Sequence, residues 1–165
     1  KLDKAQNGVD IVNIANPVGR GISSNKFTRY NVPERGIIIN NSRELENSEL
    51  GGIIYPNENL RNGNARLVLF QVTGTGQTNI EGYTEMHGQK ADFILANPNG
   101  ISMNGGGFIN MPRVTITTGI PTIQEDNVII DVERGNIAIK QETNEQLEKA
   151  MKAPINEDKI RKAGW

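Results

Sequence analysis

The chain has 165 residues, a formal net charge of −1 and no cysteine. Because its charges are balanced and no basic run occurs, nucleic-acid binding is not expected, and the missing thiols exclude disulfides and zinc–thiolate sites. Aromatic residues make up only 5% of the chain and glycine occurs 18 times, so we expect a core of Ile, Val and Leu on short strands joined by tight turns.

Short apolar runs separated by polar turns predict a series of strands along the chain. They lie, in chain order, at residues 37–39, 65–72, 80–87, 91–96, 108–109, 114–118, 128–132 and 137–139. Runs of this length, each followed by turn residues, are typical of an all-β domain. No apolar run approaches the length of a membrane span, so stable membrane insertion is not expected.

The strand pattern fits a sandwich, a barrel or a solenoid. The Asn-Gly pairs do not lie between long alternating runs, so signals for hairpins are sparse. Short strands, asparagine-rich corners and aliphatic residues that could stack favour a parallel β-helix, in which each coil is buried on its neighbour. The chain has no strict numerical repeat, so the solenoid is preferred on composition and strand length alone.

The last part of the chain, residues 142–165, has a different character. Thr143 and Gln146 have the spacing of a capping box at the start of a helix. Pro154 would end that helix, and a second short one could follow it. We therefore place a domain boundary near Gln141 and expect two short helices or a loose tail after it.

Residues that could carry catalysis are few. His87 is the only histidine, and we interpret it as an exposed or hydrogen-bonded side chain rather than a general base. Glu81, Glu85 and Asp92 lie on separate predicted strands, and a β-helical polysaccharide lyase would need such carboxylates clustered around calcium. We expect no enzyme activity, no metal and no cofactor, with the lyase kept as an alternative.

One segment stands out as a predicted rigid corner, Asn97-Pro98-Asn99-Gly100-Ile101. Pro98 fixes its own backbone angle and pushes Asn97 towards an extended conformation. Asn99 and Gly100 both tolerate a positive φ. The asparagine side chains can satisfy backbone groups that such a turn leaves open.

Further motifs occur in order along residues 7–139. The early ones contain Asn13, Asn16, Pro17, Phe27, Tyr30, Asn31, Asn40 and Asn41. A shorter motif follows at Asn57, Glu58, Asn59 and Leu60, and segments at 107–110 and 113–119 come after the corner. Together the series resembles the two-partner secretion domain of filamentous-haemagglutinin-like exoproteins, a family of adhesins, haemolysins and contact-dependent inhibition proteins.

The chain departs from the family pattern at two places. Glu58 stands where the shorter motif usually has proline, although Pro56 precedes it. The glycines at 105–107 occupy the position where some relatives carry a cysteine pair, so no disulfide can form there.

The resemblance implies a right-handed parallel β-helix with an N-terminal β cap over residues 1–141. It also implies a monomeric domain of a protein that is secreted or held at the cell surface after passing through the periplasm. The first residue, Lys1, suggests a processed chain whose signal peptide is already gone. The implied partner is an outer-membrane β-barrel transporter, whose periplasmic domains would recognise this domain before the β-helix folds at the surface.

We expect that recognition to involve the early segment from Asn13 to Asn41 and the loop from Asn57 to Leu60. In this segment Phe27, Tyr30 and Val32 could serve as apolar anchors before folding, and in the folded domain we expect them to pack the cap. The corner at residues 97–101 would act mainly by shaping the fold. The main alternative is a surface adhesin domain that binds a host ligand directly.

Overall fold

The computed structural model describes residues 2–124 and 127–131, and every regular element in these ranges is a β-strand. The strands are β1 (Asp3–Lys4), β2 (Asp10–Asn13), β3 (Ile22–Phe27), β4 (Ile37–Asn41), β5 (Glu46–Ser48), β6 (Gly52–Ile54), β7 (Leu67–Val72), β8 (Thr78–Ile80), β9 (Thr84–Gly88), β10 (Asp92–Ala96), β11 (Ile101–Met103), β12 (Phe108–Ile109), β13 (Val114–Thr117), β14 (Ile120–Gln124) and β15 (Asn127–Asp131).

Most strands stack in parallel into the walls of a solenoid. Sheet A has the order β1-β2-β4-β9-β12, sheet B has the order β13-β10-β7-β3, and the small sheet C pairs β11 with β8. From β8 onwards the chain visits sheets C, A and B in turn and then repeats the circuit. In sheet B the register places Leu95 between Phe70 and Ile116, so like positions of successive coils lie side by side. The predicted parallel β-helix is confirmed.

The N-terminal end of the solenoid is capped. Strand β1 pairs antiparallel with β2, in a register that sets Asp3 opposite Ile11. Beside sheet B, Val18 and Ile22 form an antiparallel bridge. Because these contacts cover the first coil, its strand edges are not open along their whole length. This is the predicted N-terminal β cap.

The interior is aliphatic, as predicted, but an aromatic ladder runs through its centre. The ring centroids of Phe27 and Phe70 lie 4.7 Å apart, those of Phe70 and Phe93 5.1 Å, and those of Phe93 and Phe108 6.3 Å. Tyr30 packs edge-on against Phe70 at 5.3 Å. All four phenylalanines of the chain therefore contribute to one stack, which links successive coils.

Two predicted strands were wrong in extent or role. Residues 80–87 form two strands rather than one, because the chain turns a corner at residues 81–83 between β8 and β9. At this corner Gly82 passes so close to Pro33 that a Cβ would lie 2.1 Å from the proline carbonyl oxygen. Residues 128–132 were expected as an inward solenoid strand, but β15 pairs antiparallel with β14. The expectations for residues 137–139 and 142–165 lie outside the described residues.

A hairpin that the sequence analysis missed leaves the solenoid between β4 and β7. Strands β5 and β6 pair antiparallel, with Asn47 opposite Ile53. We call residues 46–54 the hairpin. It contributes to a second apolar cluster, separate from the solenoid interior, on the outside of sheet A. That cluster contains Ala5, Val9, Ile11, Ile38, Ile54 and the partly buried Leu50.

Candidate functional site

The first turn, which consists of Asn57, Glu58, Asn59 and Leu60, is held by one buried asparagine. The Asn57 Nδ2 group donates to the carbonyl oxygens of Ile14 and Asn40, at 3.0 and 3.1 Å. Its Oδ1 atom accepts from the backbone N–H of Asn59 at 3.0 Å, and the backbone N–H of Leu60 donates to the Asn57 carbonyl at 3.2 Å. One side chain therefore closes the turn and ties it to two earlier strand ends.

The second turn, which consists of Asn97, Pro98, Asn99, Gly100 and Ile101, repeats this arrangement after β10 of sheet B. The fully buried Asn97 donates through Nδ2 to the Gly76 carbonyl oxygen at 3.0 Å and to Thr78 Oγ1 at 2.9 Å. Its Oδ1 atom accepts from the backbone N–H of Asn99 at 2.9 Å. The Gly100 N–H donates to the Asn97 carbonyl at 3.1 Å. The predicted corner is confirmed in its geometry.

The second asparagine of each turn, Asn59 or Asn99, is exposed, and the residues between the asparagines differ. Glu58 is exposed and Pro98 is half-buried. The residue that ends each turn, Leu60 or Ile101, enters the apolar core. The second turn is one residue longer, and its extra residue, Gly100, has a φ of 107°, a region that favours glycine. The departure at Glu58 leaves the hydrogen bonds of the first turn intact.

Asparagines of the early segment also bond to neighbouring coils. Asn40 donates through Nδ2 to Asn13 Oδ1 and to the Tyr55 carbonyl oxygen, both at 2.9 Å. Asn41 donates to the carbonyl oxygens of Ala65 and Gln89, at 3.0 and 2.9 Å. Asn40 and Asn41 are both buried. Their amides therefore replace the water that these backbone groups would otherwise bind.

Asn16 and Asn31 form single long-range contacts of the same kind. Asn16 Oδ1 accepts from the backbone N–H of Asn62, and Asn31 Oδ1 accepts from that of Asn79, both at 2.9 Å. Pro17 is buried beside them, and its carbonyl oxygen accepts from Asn62 Nδ2 at 2.9 Å. The structure links Asn13, Asn40, Asn57 and Asn59 by hydrogen bonds but does not gather all the predicted site residues on one surface. Most of the predicted asparagines form side-chain hydrogen bonds between coils.

The aromatic residues of the early segment pack as expected for the folded domain. Tyr30 and Val32 are buried, and Phe27 is partly buried against the core. Burial raises the pKa of Tyr30, while the neighbouring Thr84 side chain acts weakly in the opposite direction. The Tyr30 hydroxyl points towards Thr84 without forming a hydrogen bond of good geometry. None of these three side chains is freely available to a partner in the folded state.

The outer face of sheet A carries two buried polar residues beneath the hairpin. Glu85 accepts hydrogen bonds from the backbone N–H groups of Glu49 and Leu50, each at 2.9 Å. His87 was expected to be exposed or hydrogen-bonded, and the structure shows that it is buried. Its Nε2 atom has no hydrogen-bond partner. Burial lowers the pKa of His87, and the negative charges of Glu85 and Glu46 oppose that shift.

The carboxylates considered for a lyase do not converge. Glu81 is exposed at the corner before β9, Glu85 is engaged with the hairpin, and Asp92 begins β10. Within residues 2–124 and 127–131, no group of three acidic, histidine or cysteine side chains could hold a metal ion. The same ranges contain no helix long and apolar enough to cross a membrane.

Several structural residues were missed from the sequence. Asn25, Asn64 and Asn110 bond backbone groups of other coils, just as the predicted asparagines do. For Asn64 and Asn110 the signal was position, because each lies beside a predicted strand end, whereas Asn25 lies within β3 and had no such signal. Glu85 had no such signal, because its partners precede it by 35 and 36 residues.

The capped solenoid with asparagine-closed corners places the chain in the class of parallel β-helix proteins. Residues 1–155 match the family model for the TPS secretion domain. The chain belongs to this two-partner secretion domain family, a family of secretion domains rather than catalytic ones.

Relatives agree with this assignment. The chain is 46% identical over 144 residues to the 16S rRNA endonuclease CdiA of Enterobacter cloacae, which covers 85% of this chain and 4% of that protein. It is 40% identical over 134 residues to the filamentous hemagglutinin of Bordetella pertussis, covering 81% of this chain and 4% of that protein. The crystal structure of a filamentous hemagglutinin secretion domain superimposes with a TM-score of 0.77 at 38% identity, covering 82% of this chain and 45% of that one.

The chain therefore spans only a small part of the curated relatives, and the nuclease name of CdiA describes that whole protein. What it shares with them is the secretion domain of filamentous-hemagglutinin- and CdiA-like exoproteins. Membership implies secretion or surface localisation and a dedicated transporter as partner.

Proposed function

We propose that this domain is the address that the periplasmic domains of its outer-membrane transporter recognise, and that they recognise it before it folds. One observation carries the proposal. The asparagines at 40, 41, 57 and 97 are all buried in the folded domain, where they bond backbone groups of other coils. A partner that reads these residues needs an unfolded or partly folded chain.

The early segment is suited to recognition by strand addition. Strand β3 lies at the edge of sheet B, next to β7 only. An extended segment of this kind can pair with an exposed sheet edge through its main chain and offer alternate side chains to pockets. Phe27 and Tyr30 would serve as anchors before they enter the aromatic ladder. Micromolar affinity, about −8 kcal/mol, suffices for a contact that must later release.

The folded domain is also suited to start the β-helix at the surface. Its N-terminal end is capped by β1, whereas β12 and β13 lie at the other edges of sheets A and B. Open parallel edges let later coils stack one by one, and each new coil needs only its predecessor. We therefore propose that the capped end sets the direction of folding.

The remaining parts of the proposal concern chemistry and route. We propose a monomeric domain that reaches the surface through the periplasm, performs no catalysis and binds neither metal nor nucleic acid. The scattered carboxylates and the enclosed His87 support the proposal that the domain performs no catalysis. The balanced charge of the chain supports the proposal that it does not bind nucleic acid.

The test is a titration of the purified periplasmic domains of the cognate transporter. The full chain is added once in its native form and once denatured and then diluted. We expect binding near micromolar for the diluted chain and weaker binding for the native one. If neither form binds when tested at concentrations well above micromolar, the transporter proposal is wrong.

One observation favours the second candidate, a domain that binds a host ligand itself. Leu45, Ile53 and Tyr55 are 58%, 59% and 79% exposed on the hairpin and its flanks. Grouped exposed apolar side chains often mark an interaction surface. Binding of the native chain to host cells, lost in Ile53→Ser with Tyr55→Ser and kept in Val18→Ser, would favour this candidate. Val18 is a matched control because it is equally exposed, at 55%, away from the hairpin.

A further inference from the structure

The tip of the hairpin is held by a single buried carboxylate. Glu85 is 4% exposed, and its two oxygens accept one backbone N–H each, from Glu49 and Leu50. Both distances are 2.9 Å. Hydrogen bonds to an ionised acceptor are stronger than those between neutral groups, and a buried carboxylate without them would be costly. Glu85 is therefore matched to the hairpin tip.

Other hydrogen bonds fix the backbone conformation of the tip. Ser48 Oγ accepts from the Gly51 N–H at 2.9 Å and donates to the Gly52 carbonyl at 2.8 Å, which fixes the turn. Asn7 donates to the Leu50 carbonyl at 2.8 Å from the side of the cap. With these groups satisfied locally, the N–H groups of Glu49 and Leu50 point together towards sheet A.

The contacts of the hairpin divide by their place in the chain. Its apolar side, through Ile54 and Leu50, packs against Val9, Ile11 and Ile38, which all precede it. Glu85 instead follows the tip by 35 and 36 residues. In sheet A, Glu85 lies directly opposite Ile38. The carboxylate therefore reaches the tip only when β9 has paired with β4.

We propose that Glu85 is a positioning residue that latches the hairpin onto sheet A when the coil containing β9 forms. Until then the hairpin is held by the apolar contacts and by the exposed hydrogen bond from Asn7, without a buried polar contact at its tip, and it opens readily. Afterwards it is fixed. The biological use of the latch rests on the proposed function: in a chain exported from its N-terminus, the hairpin stays open until residue 85 has emerged, so its closure follows the third coil of the solenoid.

The first test compares Glu85→Gln with Glu81→Gln in the full chain. Glutamine keeps the shape but replaces one acceptor oxygen with an NH₂ donor, so one tip N–H loses its partner. Glu81 is exposed in the same coil and serves as the matched control. Hydrogen exchange at the Glu49 and Leu50 amides should accelerate ten-fold or more in Glu85→Gln, which corresponds to about 1.4 kcal/mol, and stay unchanged in Glu81→Gln.

A purely structural role would lower protection everywhere. Amides of β7 therefore serve as an internal reference, because Val68, Leu69 and Phe70 are buried in the solenoid and report global opening. We expect their exchange to change less than that of the tip. Equal acceleration at the tip and in β7, or no acceleration at the tip, would overturn the proposal.

The second test uses the unmodified chain, so it does not depend on whether a variant folds. Pulse-labelled hydrogen exchange during refolding should show the Glu49 and Leu50 amides becoming protected together with β9. Protection of the tip before β9 would overturn the latch. Neither test contains the transporter, so their outcomes are separate from the titration that tests the proposed function.

Discussion

The two asparagine turns have the same arrangement of hydrogen bonds but different sequences. In each, a buried asparagine donates twice to main-chain or hydroxyl oxygens of an earlier part of the chain and accepts from the N–H two residues on. The second turn has Pro98 between its asparagines, and the first has Glu58. Since the bonds agree within about 0.2 Å, proline is not what builds the turn.

The turns differ in what surrounds them. The first bonds Ile14 and Asn40, so it joins the end of the cap to sheet A next to the hairpin. The second bonds Gly76 and Thr78, at the start of sheet C. We infer that the first turn fixes the capped end of the solenoid, whereas the second fixes one ordinary coil on the next.

The largest expected effect is loss of either buried asparagine. Asn57→Ala removes three hydrogen bonds and Asn97→Ala removes four, one of them from the exposed Asn99 side chain. Each substitution leaves buried polar groups without partners, so each should lower the free energy of unfolding by about 3 kcal/mol. Urea unfolding of the full chain, followed by circular dichroism, measures the loss. The exposed partners Asn59 and Asn99 are the matched controls, and Asn59→Ala and Asn99→Ala should cost less.

Secretion of the same variants distinguishes a structural role of the asparagines from direct contact with the transporter. If the asparagines act through the fold, secretion should fall in step with stability in both turns. Loss of secretion at unchanged stability, at Asn57 but not at Asn97, would break the equivalence of the turns and indicate direct contact between Asn57 and the transporter.

The next effect belongs to the extra glycine of the second turn. Gly100 has a φ of 107°, and a Cβ there would meet only the Gln77 side chain, at 3.9 Å. The cost of Gly100→Ala therefore comes from backbone strain rather than collision, and we expect roughly 1–2 kcal/mol by urea unfolding. The first turn lacks this residue, so Glu58→Ala should cost almost nothing. A neutral Gly100→Ala would show that the longer turn relaxes without strain.

The sequence predicted the second turn well because its geometry is local. Pro98 fixes its own backbone angle and restricts that of Asn97, and Gly100 permits a positive φ, so no distant residue is needed to infer a corner. Runs such as residues 37–39 and 91–96 were also found, since a strand buried in a solenoid is apolar along its length. The short strands and asparagine-rich corners gave only a preference for parallel coils, because such strands also fit a sandwich or a barrel, and the family resemblance added the rest of that prediction.

The hairpin and its latch could not be predicted in this way. Glu46, Asn47 and Ser48 form a polar strand with no apolar alternation, so nothing local marks it as β5. Glu85 resembles a surface carboxylate until β4 and β9 pair and bring it beneath Leu50. The split of residues 80–87 depends on Gly82 meeting Pro33, a contact between coils that the local sequence does not encode.

Acidification should destabilise the surroundings of the first turn more than those of the second. Asn40, a partner of the first turn, lies opposite His87 in sheet A. Burial lowers the pKa of His87, so as the pH falls below about 6.5 the unfolded chain takes up the proton first. Stability is then full above that pH and declines below it, by at most about 1.4 kcal/mol per pH unit.

This decline should disappear in His87→Gln, because the chain has no other histidine. Urea unfolding at pH 7.5, 6.5 and 5.5 measures the slope for both proteins. Since His87 lies on the side of the first turn, the protection factor of the Asn59 amide, which corrects for the intrinsic pH dependence of exchange, should fall more than that of the Asn99 amide on acidification. An equal slope in His87→Gln would show that other groups carry the pH dependence.

The smallest effect comes from exchanging the middle residues of the two turns. Proline restricts the unfolded chain, and the matching hydrogen bonds indicate that the first turn accepts it as the second does. Glu58→Pro should therefore stabilise the domain by about 0.4–1 kcal/mol, and Pro98→Glu should destabilise it by a similar amount. Urea unfolding of both variants and of the double exchange measures these changes. In the double exchange the two effects should cancel, since the turns lie in different coils and share no hydrogen bond. Destabilisation by Glu58→Pro would mean that the first turn holds a backbone conformation that proline cannot adopt, and the two turns would then be alike in their asparagines only.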